Sequence, residues 1–205
     1  MSALAESLAA KNTPLFLVSD ALFAKAAATE HPQGVLAVVR LPENTPFSPG
    51  AYLAYADGIA DPGNLGTILR NAYAAGCAGL LLSPKTADPY NPKAVRASMG
   101  ALFRLPLYRC SSPDEALAMM ERWGALPLIA SADGEDLRCC WELLCRPHIW
   151  VLGAEAGGVS RFWQEHAART VCIPMREGAE SLNVASAAAV LFYQSFFAQN
   201  PDQKG

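Results

Sequence analysis

The chain has 205 residues, 52% of them hydrophobic and 17% charged, with a formal net charge of −3. That balance gives one substantial domain plus a small appendage, with a core that needs no disulfide or metal staple. It speaks against a protein whose whole surface clamps nucleic acid, and the longest apolar stretches, such as Ala187 to Phe192, are far shorter than the ~20 residues of a membrane-spanning helix.

Residues 1–46 read as a small leading unit. A strand-like run, Leu15 to Val18, precedes a helical segment for which Ser19 or Asp20 can serve as N-cap. Gly34 and a second strand, Val35 to Val39, follow. Leu41 to Gly50 then holds three prolines and a glycine among polar residues, which is linker chemistry. The boundary is placed there, dividing 1–46 from 47–205.

Beyond the linker, strands and helices alternate. Strands are expected at Ala51 to Ala56, Gly79 to Leu82, Leu105 to Tyr108, Leu126 to Ala130, Ile149 to Leu152 and Val171 to Pro174. Helices are expected at Leu65 to Ala75, from Asn91-Pro92, from Ser112-Pro-Asp-Glu, after Ser160, and from about Asn183 to Ala198. The strand runs are continuously apolar, as in strands covered on both faces, so the reading is α/β with a mostly parallel sheet.

Six cysteines carry no C-x-x-C pair, and the three histidines are not spaced as a zinc finger requires. Free thiols in a reducing cytoplasm are expected, and no metal site. The start of the chain shows no basic, apolar, small-residue leader, which also points to a cytoplasmic location. Between Ser83 and Arg109 the charged residues are Lys85, Asp88, Lys93, Arg96, Arg104 and Arg109, five basic against one acidic. This is either a local basic patch or a set of scattered solvated charges.

Ligands of open α/β sheets bind beyond the carboxyl ends of the strands, and three loops there stand out. In Asp61-Pro-Gly-Asn-Leu-Gly-Thr-Ile-Leu-Arg70, Asn64 can cap the helix. Arg70, beside the apolar Ile68 and Leu69, is either a snorkelled surface group or a planar anion clamp. In Val151 to Ser160 a buried strand runs into glycines around one carboxylate, Glu155. This is neither G-x-G-x-x-G nor a P-loop, which disfavours dinucleotides and triphosphates. In Ile173 to Asn183, Ser181 or Asn183 can cap the last helix or contact a ligand, and Met175 can be a core filler.

Taken together, Asn64-x-Gly66-x-Ile68-x-Arg70, Leu152-Gly-x-Glu155-x-x-Gly158, and Ile173-Pro-Met175 with Glu180-Ser-Leu-Asn183 resemble the three ordered motifs of the SpoU (TrmH-like) RNA ribose methyltransferases of the SPOUT superfamily. Asn91 to Ala101 resembles the family's connecting segment, and residues 15–42 resemble the tail of the substrate-binding domain that many members carry in front. The resemblance covers about residues 51–198.

It implies a SPOUT-type, mostly parallel sheet with a C-terminal trefoil knot, preceded by a short partial α/β unit. It also implies a homodimer and transfer of a methyl group from S-adenosylmethionine to a ribose 2′-hydroxyl of RNA. Ribosomal RNA is favoured over transfer RNA. A non-catalytic dimeric RNA-binding or assembly factor on the same scaffold is the alternative from another class. By the same resemblance, Leu152, Gly153, Gly158, Ile173, Met175 and Leu182 would hold the cofactor. Arg70 would act at the reacting hydroxyl from the neighbouring subunit, with Asn64, Glu155, Ser181 and Asn183 orienting it and the ribose. Lys93 and Arg96, three apart on one helical face, would hold RNA phosphates. The sequence departs from the family at Ala154 and Ala156, where Asn and Gly are usual, so a differently arranged second loop is expected.

Overall fold

The computed structural model describes residues 3–27, 33–42, 50, 52–155, 157–179 and 181–201. Most of the proline-rich linker, Ala156 and Glu180 lie outside the described residues. The chain divides into two compact units, Met1–Leu41 and Pro42–Gly205.

The first unit contains helices α1 (Ala3–Ala10) and α2 (Asp20–Ala26), the latter capped by Ser19, whose Oγ accepts from the Leu22 backbone N–H. The strands expected at Leu15 to Val18 and Val35 to Val39 do not form, so the described part of this unit is helical rather than α/β. The reason is visible in the exposure of the runs, 83% for Phe16 and 92% for Val38. A strand is stable only when its backbone is paired and one face is covered, and neither run has a ladder partner among the described residues.

The second unit is a six-stranded sheet in the order β3-β2-β1-β5-β4-β6, with every pairing parallel. Its strands are β1 (Tyr52–Asp57), β2 (Leu80–Leu82), β3 (Leu107–Arg109), β4 (Leu126–Asp136), β5 (His148–Gly153) and β6 (Arg169–Cys172). The helices of this unit are α3 (Pro62–Ala74), α4 (Pro92–Ala97), α5 (Pro113–Arg122), α6 (Trp141–Leu144), α7 (Arg161–His166) and α8 (Val184–Gln199).

The period of two along each strand sorts the core into two layers. Tyr52, Ala54, Leu80, Leu82, Trp150 and Leu152 face one layer, covered by Leu65, Ile68, Leu69 and Ala72 of α3 and by Ala188, Leu191 and Phe192 of α8. Leu53, Tyr55, Leu81, Ile149 and Val151 face the other, covered by Ala116, Met119 and Met120 of α5 and Trp163 of α7. Each fully buried large side chain contributes about 1.5–3 kcal/mol. This is why the strand runs contain no polar alternation.

Two observations explain how α3 sits. Asp61, not Asn64, is its N-cap: Asp61 Oδ2 accepts from the Asn64 backbone N–H at 2.9 Å, and Pro62 follows the cap at the start of the helix. Asn64 therefore lies inside the first turn, and its side chain is released for other work. Gly66 faces α4 so closely that a Cβ there would lie 2.4 Å from the Ala94 carbonyl oxygen. α8 is capped by Asn183, whose Oδ1 accepts from the backbone N–H groups of Ala185 and Ser186. β4 runs six residues beyond the expected Ala130, with a register shift between Ala130 and Glu135.

Candidate functional site

The three motif loops converge at the carboxyl end of the sheet. Asn64, from the first turn of α3, donates from Nδ2 to Glu155 Oε1 in the loop after β5. Asn183, at the start of α8, donates from Nδ2 to the same Oε1 at 3.0 Å and to Asn64 Oδ1 at 3.1 Å. Residues 119 positions apart thus meet on one carboxylate oxygen. The other oxygen, Oε2, has no hydrogen-bond partner among the described residues.

Beside this cluster lies a cavity of about 440 Å³, lined from β4 by Ala130, Ser131 and Ala132 and from the loop after β5 by Leu152, Gly153, Ala154, Glu155 and Gly158. The third loop adds Ile173, Met175, Ser181, Leu182 and Asn183. All six residues expected to hold a cofactor therefore face one space. The volume lies in the range of small-molecule sites, about 300–1,000 Å³. With apolar walls and backbone groups at the rim, it can hold a small organic molecule without a charged clamp. Met175 and Leu182 remain 39% and 42% exposed at the mouth, so Met175 is not a core filler.

The second loop is shaped by backbone contact. A Cβ on Gly153 would lie 2.1 Å from both the Gly158 carbonyl carbon and the Val159 nitrogen, so only glycine fits. Ala154 and Gly158 exchange both backbone hydrogen bonds, at 2.9 and 2.8 Å, and Gly158 turns the chain at a φ of +63°. The bridge uses only main-chain atoms, so it accepts alanine at 154. Ser160 precedes α7, but its hydroxyl makes no cap bond; its backbone N–H donates to Asp57 instead.

Not every expected site residue joins the cluster. Ser181 lines the cavity but stands outside the Asn64–Glu155–Asn183 hydrogen bonds. Arg70 is exposed on α3 and makes no hydrogen bond or ion pair with a described residue. Six residues at about 100° each place it on a different side of the helix from Asn64. Lys93 is paired with Asp61 across the α3–α4 contact, and its ammonium holds the Asp61 carboxyl below the ordinary carboxylate range. Arg96 is exposed on α4.

Within the basic segment, Arg109 has a structural task. Its guanidinium donates to the carbonyls of Ser83, Thr86 and Ala87 at 3.0 to 3.1 Å. Burial pushes the Cys77 and Cys110 thiols up to about 12, which keeps both protonated and unreactive. Among the described residues, no group of three His, Cys, Asp or Glu side chains could hold a metal ion, and no helix is long and apolar enough to cross a membrane.

The sequence reading missed Ala130, Ser131, Ala132 and Asp57. The first three had a signal, since a buried apolar run ending in Ser-Ala-Asp-Gly marks the carboxyl end of a parallel strand. Asp57, the last residue of β1, was legible as a polar residue closing an apolar run.

The chain is similar to known proteins in sequence and in fold. The model of the SpoU rRNA Methylase family matches residues 52–193. A 23S rRNA (uridine(2479)-2′-O)-methyltransferase of Streptomyces viridochromogenes is 34% identical over 187 residues, covering 87% of this chain and 65% of that protein. The chain thus spans just under two thirds of that relative's length. A crystal structure of an RNA 2′-O ribose methyltransferase superposes with a TM-score of 0.77 at 32% identity, over 98% of this chain and 78% of the other. The SpoU methyltransferase AviRb from S. viridochromogenes, in complex with the cofactor AdoMet, superposes with a TM-score of 0.64 at 32% identity, over 71% of this chain and 58% of that one.

Proposed function

The chain belongs to the SpoU rRNA methylase family, and from that premise we propose that it transfers a methyl group from S-adenosylmethionine to a ribose 2′-hydroxyl of ribosomal RNA, acting as a homodimer. The observation that carries this reading is the meeting of Asn64, Glu155 and Asn183 at the rim of the 440 Å³ cavity. Three loops far apart in sequence have no structural need to share one exposed carboxylate.

S-adenosylmethionine, when bound, supplies an electrophilic sulfonium methyl. The chain's own groups have two tasks. The cavity walls, Leu152, Ile173, Met175 and Leu182 with the backbone at Gly153 and Gly158, orient the cofactor and keep water from it. The polar rim receives the ribose. Holding both reactants in line can supply several kcal/mol of the barrier, out of the roughly 7–11 kcal/mol that proximity offers. An arginine guanidinium stays protonated in proteins and is a poor base. That of Arg70 instead binds the adjacent phosphate and stabilises the negative charge that builds on the 2′-oxygen as the hydroxyl proton passes to water. Glu155 Oε2 is open to receive that guanidinium or the sugar hydroxyl, while Oε1 is fixed by the two carboxamides. Ser181 adds a hydroxyl at the same rim.

Arg70 stands apart from its own chain's cluster, which supports its use in the neighbouring subunit's site. An apolar surface for that pairing exists on the two helices concerned. Tyr73 of α3 and Val190, Tyr193 and Phe197 of α8 are 38 to 49% exposed. The family resemblance alone supports threading of the C-terminal segment into a trefoil knot. Lys93 and Arg96 of α4 would serve as phosphate contacts. Incubation with methyl-labelled S-adenosylmethionine and ribosomal RNA tests the proposal: label in ribose 2′-O-methyl nucleotides is expected, and absence of transfer to any RNA together with absence of cofactor binding would refute it.

A further inference from the structure

Asp57 lies outside the three loops that carry Asn64, Glu155 and Asn183, yet it controls one of them. It is buried at the carboxyl end of β1, and its Oδ2 accepts the Ser160 backbone N–H at 2.6 Å. A hydrogen bond to an ionised acceptor is about twice as strong as a neutral one. Ser160 is where the second loop ends and α7 starts. At its other end, the same loop leaves β5 at Gly153, which pairs with Asp57 in the parallel ladder. Its neck is closed by the Ala154–Gly158 bridge. The loop is therefore pinned twice, by main chain at the neck and by the Asp57 carboxylate at the exit. Glu155 sits between the neck residues, and Gly158 and Val159 form cavity wall just before the exit.

Asp57 is itself held in place. The next residue, Gly58, has a φ of +73° and donates its N–H to Ser83 Oγ at 2.9 Å and Thr86 Oγ1 at 3.2 Å. The Thr86 hydroxyl donates to the Ala56 carbonyl at 2.7 Å, so the 2.9 Å contact between the two hydroxyls has Ser83 as donor. Arg109 in turn fixes the carbonyls of Ser83 and Thr86. A continuous set of bonds runs from β3 through the loop after β2 and the end of β1 to the exit of the second loop.

We propose that Asp57 is a positioning residue for cofactor binding: by anchoring Ser160 it holds loop 153–160 in the one arrangement that shapes the cavity wall and presents Glu155 to the two asparagines. This rests on the reading of the cavity as the S-adenosylmethionine site.

Two substitutions remove the bond from opposite sides. Asp57→Ala deletes the acceptor. Ser160→Pro deletes the donor at a φ of −61° that proline accepts, and sets its ring Cδ against the Asp57 carboxylate, a clash that the double variant with Asp57→Ala relieves. Each is expected to weaken S-adenosylmethionine binding by about tenfold or more in calorimetry, with kcat at saturating cofactor falling less than the affinity. The double variant is expected to be no weaker than the worse single, because both delete one interaction. Asp57→Asn, which keeps an acceptor oxygen, recovers most of the affinity. A role in general stability alone would lower the melting temperature and leave the affinity of the folded protein unchanged. Unchanged affinity in folded Ser160→Pro overturns the proposal, as does a full loss in Asp57→Ala that Ser160→Pro does not share. If Asp57→Ala does not fold, Ser160→Pro and Asp57→Asn carry the decision. A wild-type protein that binds no S-adenosylmethionine refutes the cavity reading instead, which separates the two failures.

Discussion

The Asn183 side chain serves two structures at once: its Oδ1 caps α8, and its Nδ2 donates to Glu155 Oε1 at 3.0 Å. The geometry of the rim is thereby fastened to the start of the longest helix in the described chain. Asn183→Ala is expected to cost about 1 kcal/mol through the lost cap and to abolish transfer as well. Asn183→Asp keeps the cap but sets a second carboxylate against Glu155. Its melting temperature should stay near that of the wild type while its transfer rate falls at least tenfold. Thermal melts paired with labelled-methyl assays separate the two functions of this residue.

Gly153 is the tightest position of the second loop. Gly153→Ala forces a Cβ into the Gly158 and Val159 backbone, so the cavity wall must move and S-adenosylmethionine affinity should drop by more than an order of magnitude. Ala154→Gly, one residue on, leaves the main-chain bridge intact and is expected to bind within a factor of about two or three of wild type. Calorimetry on both variants checks the contrast.

His148 makes stability depend on pH. It is fully buried between the Arg146 carbonyl and Ser195 Oγ, each at 2.8 Å, and Ser195 Oγ also accepts the Trp150 indole N–H. Burial pushes its pKa down from 6.5 to about 4. The unfolded chain therefore takes up a proton before the folded one does. Stability should be level above about pH 7, fall as pH drops through 6.5 towards 4, and lose on the order of 3 kcal/mol across that window. Urea melts from pH 8 to pH 4 read this slope, and His148→Gln should flatten it.

Lys93 and Arg96 differ in what they must give up to meet RNA. Lys93 is committed to Asp61 in an exposed pair that solvent screens. Both Lys93→Ala and Arg96→Ala should weaken RNA binding and reduce the salt dependence of log K by about one charge or less. The Arg96 effect should be the larger. Filter binding at several salt concentrations measures both.

Much of this arrangement was legible in the residues. The apolar runs of β1, β2 and β5 announced strands covered on both faces, the helix starts at Asn91 and Ser112 fall where those side chains accept from the helix backbone, and of the two candidates Ser181 and Asn183 it is Asn183 that caps α8. The parallel sheet followed from alternation. What failed was pairing. Leu15 to Val18 and Val35 to Val39 have strand composition, but a ladder partner is a long-range property that composition does not carry. The cap of α3 was misassigned because Asp61 and Asn64 are both good caps, and only the fold decides which is used. Convergence of the three motifs was expected through family resemblance; Asp57 was overlooked because its partner is a backbone N–H 103 positions away.

The central claim is a site completed between subunits, with Arg70 of one chain serving the Glu155 cluster of the other. Arg70→Ala and Glu155→Ala should each be inactive as pure dimers. Mixed by co-expression, half the dimers are hybrids, and each hybrid holds one site with both residues intact. Methyl transfer to ribosomal RNA should therefore return to about a quarter of the wild-type rate. A co-expressed mixture no more active than either parent would contradict the account.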